Sequence, residues 1–350
     1  MSAFYKLQVA SIHRESPSAI SVVFTIPNEL KPVYQFVSGQ YVTLKLTLNG
    51  EEIRRAYSIC SSPNSGELRI AIKAIQNGSF SVFANQNLQT GDLIEVSIPE
   101  GKFTFEPDFD RQRNYAAFTA GSGITPIISI LKSVLENEPK SSFVLVYGNK
   151  NPEETIFYNE LIGLQQKYLG RLFVHFIFSQ VTNGEFFGRI DKKLVHTILT
   201  EKHIEKEFSK FYLCGPEAMI NTVAETLKEH NVLEKNIKFE LFFASKTTET
   251  TVDTTTSGHT KITILLDGEE TAFEMSQKQT LLEAALKQGV EAPYSCQGGV
   301  CSSCLARISK GSATMKKNSI LTDNEIADGL ILTCQAHPTS NEIFVDFDDV

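Results

Sequence analysis

The sequence predicts three modules in series: a small antiparallel β-barrel or sandwich, a parallel-sheet α/β unit, and a smaller α+β unit. Three observations carry this. Short alternating strands separated by turn residues fill the chain from Tyr5 to about Phe105. From Asn114 the rhythm changes to strand, helix, strand, helix. Near Thr247 a threonine-rich run breaks the pattern, and an acidic, cysteine-rich quarter follows. At roughly 150 residues per domain, a chain of 350 residues has room for two or three such units.

In the first module the expected strands are Lys6–Ile12, Ile20–Ile26, Tyr41–Leu48, Arg54–Ile59, Leu68–Ala74 and Leu93–Ile98. Asn49-Gly50, Asn64-Ser65-Gly66 and Thr90-Gly91-Asp92 supply the turns. The second module reads as strands Tyr115–Ala120, Phe143–Tyr147, Leu172–Phe178, Phe211–Cys214 and Ile237–Leu241. Between them, helical stripes run over Pro126–Leu135, Thr155–Lys167 and Glu217 to about His230. That alternation predicts a parallel sheet covered by helices.

Seven of the ten residues from Thr247 to Thr256 are threonine, with no buried face at either period, so the segment reads as a linker. About 15 flexible residues reach roughly 20 Å. Beyond it, Asp267-Gly268 marks a hairpin between Lys261–Leu266 and Thr271–Met275. Thr280 and Glu283 form a capping-box pattern opening a helix that Gly289 closes. The modules then span residues 1–106, 107–245 and 260–350, with the linker at 246–259.

Composition narrows the function. With 33 basic and 41 acidic side chains the formal charge is −8, which argues against nucleic acid as the main partner. From Thr260 to Val350 there are 7 basic and 13 acidic residues, so most of that charge sits on the last module. Steering onto a basic partner surface is the expectation, with solubility as the alternative. No apolar run approaches the ~20 residues of a membrane span. The start, Met1-Ser2-Ala3-Phe4-Tyr5-Lys6, lacks a signal-peptide layout, so a cytoplasmic chain is expected.

Four of the six cysteines cluster in the acidic module: Cys296-x4-Cys301-x2-Cys304, then Cys334. This is the plant-type [2Fe–2S] spacing, in which a loop wraps three thiolates around one side of two irons. Gly298 and Gly299 suit close backbone approach to the cluster sulfides. A structural zinc site is the competing reading, but zinc ribbons present two C-x2-C pairs and only one is present. Cys60 reads as a buried apolar side chain. The seven histidines (His13, His175, His196, His203, His230, His259 and His337) stand in no metal-ligand spacing and read as surface or packing residues.

Ala120-Gly121-Ser122-Gly123-Ile124-Thr125-Pro126 joins a strand to a helix, where free N–H groups and the dipole favour a pyrophosphate. Pro126 suits the first helical position. Cys214-Gly215-Pro216 leaves a second strand towards the same crevice. In the first module Arg55 has the bidentate reach for a phosphate, Tyr57 a ring to stack, and Ser58 a hydroxyl for a ring nitrogen. Gly78-Ser79-Phe80-Ser81 opens a helix whose N–H groups suit a second phosphate. Singly, each of these is equally an ordinary strand-end or turn residue.

Taken in order, R-x-Y-S, G-S-F-S, G-S-G-I-T-P, C-G-P and C-x4-C-x2-C resemble the ferredoxin–NADP reductase family with a fused C-terminal plant-type ferredoxin, over essentially the whole chain. Gly50–Cys60, Phe178-Ser179-Gln180, Gly188–Asp191 and Leu332–Ala336 resemble, more narrowly, the reductases of phenylacetyl-CoA epoxidases. The resemblance implies a β-barrel FAD domain, an α/β nicotinamide-nucleotide domain and a ferredoxin-like β-grasp domain. It implies that Arg55 and Ala56 border the FAD pyrophosphate, Tyr57 stacks on the isoalloxazine, Ser58 bonds N5, and Gly78, Ser79, Phe80 and Ser81 cradle phosphates. Gly121, Gly123, Ile124, Thr125 and Pro126 would line the nicotinamide-nucleotide site, Cys214, Gly215 and Pro216 would flank the nicotinamide, and Glu240 and Phe242 would stand near the flavin. Tyr57, Ser58, Cys214 and Glu240 are then the catalytic set.

One departure bears on cofactor choice. The family often has Arg after the serine of the third parallel strand, to bind the 2′-phosphate of NADPH; here Ser179 precedes Gln180. Arg189 or Lys150 is the candidate replacement. The expected flow is NADPH (or NADH) to FAD to [2Fe–2S] to an oxygenase component that serves as electron acceptor. Another di-iron or ring-hydroxylating oxygenase is the alternative acceptor. A flavin/iron–sulfur redox sensor is the non-enzymatic alternative, and no DNA-binding or signalling segment supports it.

Overall fold

The structure is a computed structural model. It describes residues 3–48, 50–76, 78–182, 186–242, 258–294 and 296–350. These form two compact units, one over residues 4–242 and one over the described residues from 258 onward. Most of the threonine-rich linker lies outside the described residues.

The first unit opens with β1 (Phe4–Ser16), β2 (Ala19–Thr25), β3 (Tyr41–Leu48), β4 (Glu51–Ser58), β5 (Leu68–Lys73), helix α1 (Ser79–Asn87) and β6 (Leu93–Ser97). The antiparallel order is β4-β3-β6-β1-β2-β5. A bridge from Ile59 to Ile70 joins the β4 and β5 edges and closes the barrel. Alternation places Leu7, Val9, Val22, Val42, Leu44, Ile70, Ile72 and Val96 inside.

The same unit continues with β7 (Asn114–Ala120), α2 (Ile124–Asn137), β8 (Ser142–Asn149), α3 (Tyr158–Lys167), β9 (Leu172–Phe178), β10 (Phe186–Phe187), α4 (Lys192–Thr197), β11 (Phe208–Cys214), α5 (Glu217–Glu229) and β12 (Ile237–Glu240). The strands are parallel in the order β10-β9-β8-β7-β11-β12. The chain winds outward from β7 and returns to β11, so the switch in winding direction falls between β7 and β11. Ligand crevices open there, beyond the carboxyl ends of the strands. The strands are apolar on both faces, as a sheet covered on two sides requires.

Three local expectations shift. Helix α2 starts at Ile124, so Pro126 is its third residue rather than its first; a missing N–H is equally harmless there. Helix α3 starts at Tyr158 because Phe157 takes a left-handed φ of 63° and interrupts the turn. Strand β10 and helix α4 are additional to the expected elements: two residues and six are too short to show a period.

Barrel and sheet share one core. Cys60, Ala71, Phe103 and Phe105 pack with Tyr115, Ile127, Leu131 and Leu145. A polar seam runs beside it. Arg69 on β5 pairs with Glu15 at 2.6 Å and Glu160 of α3 at 3.2 Å, and its guanidinium lies 5.0 Å from the Phe157 ring. Lys132 of α2 pairs with Glu160 at 2.5 Å, and the Ser129 hydroxyl donates to the Ser61 carbonyl at 2.7 Å. Burial raises the Glu160 carboxyl, but Lys132 and Arg69 outweigh it and hold the group below its ordinary value. The seam fixes the β4 end against the sheet.

The second unit contains β13 (His259–Leu266), β14 (Glu269–Ser276), α6 (Leu281–Lys287), β15 (Leu305–Lys310), β16 (Ala313–Met315), α7 (Asp323–Ala327), β17 (Leu330–Leu332), β18 (Ala336–Pro338) and β19 (Glu342–Asp346). The mixed sheet runs β14-β13-β19-β15-β17, with β16 and β18 paired separately. Asp267 and Gly268 both take positive φ, 53° and 76°, the turn that matches hairpin twist. Thr280 and Glu283 form the expected capping box, and Thr322 and Glu325 form a second one at α7. Among the described residues no helix is long and apolar enough to cross a membrane.

Candidate functional site

Three strand ends meet at the crevice. Register sets Cys214 opposite Thr119 on one side and Glu240 on the other. The Thr119 hydroxyl donates to the Cys214 carbonyl at 2.7 Å. A Cβ on Gly123 would fall 2.3 Å from that same carbonyl oxygen, so only glycine lets the two turns touch. Gly121 takes φ 56° and, with Ser122, stays partly open to solvent. The side chains of Ile124, Thr125 and Pro126 are buried in the core and offer the crevice only backbone. The Ile124 N–H already donates to the Gly121 and Ser122 carbonyls, so the donors that no side chain caps, and that suit an anion, are those of the Gly121–Gly123 turn leading into α2. Gly215 has φ 154° and is partly buried beside Ala120, while Pro216 is exposed.

On the barrel side, Arg55 is exposed, Ala56 and Tyr57 are partly buried, and Ser58 is buried. Arg55 rests one N–H on the Arg54 carbonyl at 2.7 Å, and among the described residues its other donors are available. Phe80 is turned into the barrel core, 5.7 Å from the Tyr57 ring centroid, so it backs Tyr57 rather than facing a ligand. The Ser81 hydroxyl accepts the Ile75 N–H at 3.2 Å, which ties it to the preceding loop. Helix α1 has Gly78 at its N-cap and no side-chain cap, so Ser79 and its neighbours present uncapped N–H groups.

The two sides meet where the Ser58 hydroxyl donates to Glu240 Oε2 at 3.4 Å. Burial pushes the Glu240 carboxyl up to about 8, against a small lowering from Ser58. Burial, reinforced by Glu240, also holds the Cys214 thiol well above its ordinary value. Both are therefore neutral groups at pH 7, next to each other on adjacent strands. Phe242 follows, partly buried against the shared core.

At the far side of the crevice the Ser179 N–H and hydroxyl both donate to the Asn149 carbonyl, at 3.0 and 3.4 Å. The Gln180 N–H donates to the Lys150 carbonyl. Arg189 is exposed, two residues past Phe187, which pairs with Phe178. Lys150, Ser179, Gln180 and Arg189 thus gather at the ends of β8 and β9. Two further groups escaped sequence reasoning. Lys73 Nζ lies 3.9 Å from where a Gly121 Cβ would stand, which no local pattern in β5 could reveal. The Asn149 side-chain nitrogen is buried near the Tyr147 hydroxyl but in no well-formed hydrogen bond among the described residues. Uncapped helix starts, a lysine at the glycine turn and an under-satisfied amide fit a dinucleotide bearing phosphates.

In the second unit the four thiols form two pairs, Cys296 with Cys301 and Cys304 with Cys334, each within side-chain hydrogen-bond reach. The Thr333 hydroxyl and N–H both donate to the Cys304 carbonyl, at 2.9 and 3.0 Å, and join the distant Cys334 strand to the loop. The Gly298 N–H donates to Cys296 Sγ at 3.3 Å. The hydrogen bond from Cys301 and the backbone N–H groups hold the Cys296 thiol down at about 6, which favours the thiolate a metal needs. Gly299 has φ 71° and its Cβ would meet the Lys317 carbonyl at 2.8 Å, so glycine is required there. Gly298 has no such constraint; Gln297, at φ 50°, takes the other left-handed position. Among the described residues no three His, Cys, Asp or Glu side chains converge on one metal ion. Four thiols in two facing pairs fit a two-iron cluster, one pair to each iron.

Cys60 is fully buried, its thiol pushed up to about 12 by burial. Four of the histidines sit in pairs rather than scattered: buried His175 and His203 at 2.9 Å, exposed His196 and His230 at 3.2 Å.

Three family models match in order: an oxidoreductase FAD-binding domain over residues 6–105, an oxidoreductase NAD-binding domain over 118–225, and a 2Fe-2S iron-sulfur cluster binding domain over 264–339. The chain is 37% identical to a component of the 1,2-phenylacetyl-CoA epoxidase of Escherichia coli (strain K12), across 99% of each. It is 30% identical to the ferredoxin reductase component of 3-ketosteroid-9-alpha-monooxygenase of Rhodococcus rhodochrous, across 97% of this chain and 96% of that one. Among solved structures, phthalate dioxygenase reductase matches with a TM-score of 0.63 at 25% identity, across 99% of this chain and 98% of that one. The chain belongs to the family of oxygenase reductases that carry an FAD-binding domain, an NAD-binding domain and a [2Fe–2S] domain on one polypeptide.

Proposed function

We propose that this chain is the reductase component of a multicomponent oxygenase and that its partner is an epoxidase acting on phenylacetyl-CoA. The observation that carries the choice of partner is the full-length likeness to the component of the Escherichia coli epoxidase. NADPH is the proposed donor, with residues 1–106, 107–245 and 260–350 as the FAD, nucleotide and cluster modules. When bound, FAD accepts the two electrons of a hydride and releases them singly to the cluster, which carries one at a time.

The residues have distinct parts. Arg55 and the uncapped start of α1 hold FAD phosphates, and Tyr57, braced by Phe80, supplies a face for the ring. Ser58 and Glu240 form a neutral hydrogen-bonded edge to the crevice, so no fixed carboxylate charge opposes a hydride arriving there. The Gly121–Gly123 turn and Lys73 hold the nucleotide pyrophosphate, and Lys150 and Arg189 take the 2′-phosphate. Cys214 packs the nicotinamide side as a buried neutral thiol. Cys296, Cys301, Cys304 and Cys334 ligate the cluster.

The test is reconstitution. With NADPH, the purified epoxidase components and phenylacetyl-CoA, NADPH consumption should depend on both the oxygenase and the thioester. If NADPH still reduces an artificial one-electron acceptor but never supports epoxidation, the choice of partner is overturned and the reductase reading stands.

A further inference from the structure

Strand β8 sends one buried hydroxyl to the back of the glycine turn. Tyr147 is fully buried, its ring tilted against Phe176 with centroids 6.3 Å apart. Its hydroxyl donates to the Gly121 carbonyl at 2.9 Å, across 26 positions of sequence. The Ile156 carbonyl is farther off, at 3.3 Å. A phenol has one hydrogen to give, and the shorter contact takes it. Burial holds the phenol well above its ordinary value, so it stays a donor at neutral pH.

The consequence falls on the next amide. Among the described residues every peptide is trans, including the one between Gly121 and Ser122. In a trans peptide the N–H points opposite to the carbonyl. A Gly121 carbonyl turned inward to Tyr147 therefore sends the Ser122 N–H outward. Gly121 and Ser122 are the partly exposed residues of this turn, and Gly123 is buried, so that N–H faces the open side. It is also a leading donor of a turn that no side chain caps. Gly121 stands at φ 56°, where the absence of a Cβ lets the peptide plane rotate unless something holds it. The Ile124 N–H is divided between the Gly121 and Ser122 carbonyls, and the Thr125 hydroxyl goes to Ser122 at 3.0 Å. The Tyr147 hydroxyl is the side-chain donor that holds the Gly121 carbonyl.

We propose that Tyr147 is a positioning residue for the dinucleotide: its O–H clamps the Gly121–Ser122 peptide so that the Ser122 N–H is held out to a pyrophosphate oxygen. This rests on the reading of the Gly121–Gly123 turn as the pyrophosphate site. Without the hydroxyl, the Gly121 carbonyl keeps only its share of the Ile124 N–H. The peptide plane can then turn, and binding must order it first. The effect is confined to the pyrophosphate, because Tyr147 is buried behind the turn and touches no part of the crevice itself.

The test is Tyr147→Phe in the full-length holoprotein, which keeps the ring and removes the hydroxyl. The KM for NADPH should rise about fivefold while kcat stays within about twofold. Two competitive inhibitors locate the loss. ADP-ribose 2′-phosphate, which carries the pyrophosphate, should weaken by the same factor, and 2′-AMP, which lacks it, should stay within about twofold. Equal weakening of both would make the hydroxyl a merely structural group and overturn the proposal. An unchanged KM beside a raised one in Gly123→Ala also overturns it and leaves the pyrophosphate reading standing. An unchanged KM in both variants overturns the proposal together with that reading. If the phenylalanine variant does not fold, wild-type protein labelled at serine nitrogen decides the matter. Its Ser122 amide resonance should shift with ADP-ribose 2′-phosphate and not with 2′-AMP; no shift, or the same shift with both, overturns the proposal.

Discussion

The Ser58 hydroxyl, at the end of a barrel strand, donates to Glu240 Oε2, at the end of the last parallel strand, across 3.4 Å. They lie 182 positions apart in the chain. The shared core and the Arg69–Glu160 seam hold them together.

Glu240 should make stability fall as pH rises. Its folded value, about 8, is above its ordinary 4.5. The stabilising contribution is therefore full below 4.5 and is lost as pH rises through about 8. Glu240→Gln removes that dependence. Denaturation of the two proteins should give similar midpoints near pH 5, with the variant more stable by on the order of 3–5 kcal/mol at pH 8.5. Parallel profiles would mean that the carboxyl is not neutral.

Gly123→Ala should damage both fold and nucleotide binding, since the new Cβ would sit 2.3 Å from the Cys214 carbonyl oxygen. The expected cost is roughly 1–3 kcal/mol of stability. The KM for NADPH should rise at least about tenfold as the two turns separate. Thermal melts and steady-state kinetics check both; an unchanged KM would remove the turn from the nucleotide site.

Arg189→Ala should separate the two nicotinamide cofactors. Loss of a phosphate contact raises the KM for NADPH by roughly tenfold, about 1.4 kcal/mol, and leaves NADH within about twofold. Equal effects on both would mean that Arg189 does not meet the 2′-phosphate.

Much of this was readable in the sequence because it is local. Turn glycines, the capping box at Thr280 and the Cys296–Cys304 spacing each act within a few residues. Groups joined only by the fold were not readable. Arg69 meets Glu15 and Glu160 at separations of 54 and 91 residues. The histidine pairs span 28 and 34 residues, and Lys73 reaches the glycine turn only because β5 packs there. The direction of the Phe80 ring was not readable for a related reason: its motif marks a helix start, but the face on which each side chain falls is set by the barrel.

Electron delivery to the oxygenase should slow as salt rises. Six units of the −8 charge lie on residues 260–350, and exposed charges are screened over about 8–10 Å at physiological ionic strength. Stopped-flow rates from 20 to 500 mM salt should fall on the order of tenfold or more. A flat profile would assign that charge to solubility alone.

The most direct test of electron flow through the three modules is anaerobic reduction of wild type and Cys301→Ser by NADPH, followed at flavin and cluster wavelengths. In the wild type both sets of bands should bleach, and cytochrome c should be reduced. In the variant the flavin should still bleach at the wild-type rate while electron delivery to cytochrome c is lost. Loss of flavin bleaching as well, or undiminished delivery without the cluster, would contradict the order nicotinamide, flavin, cluster.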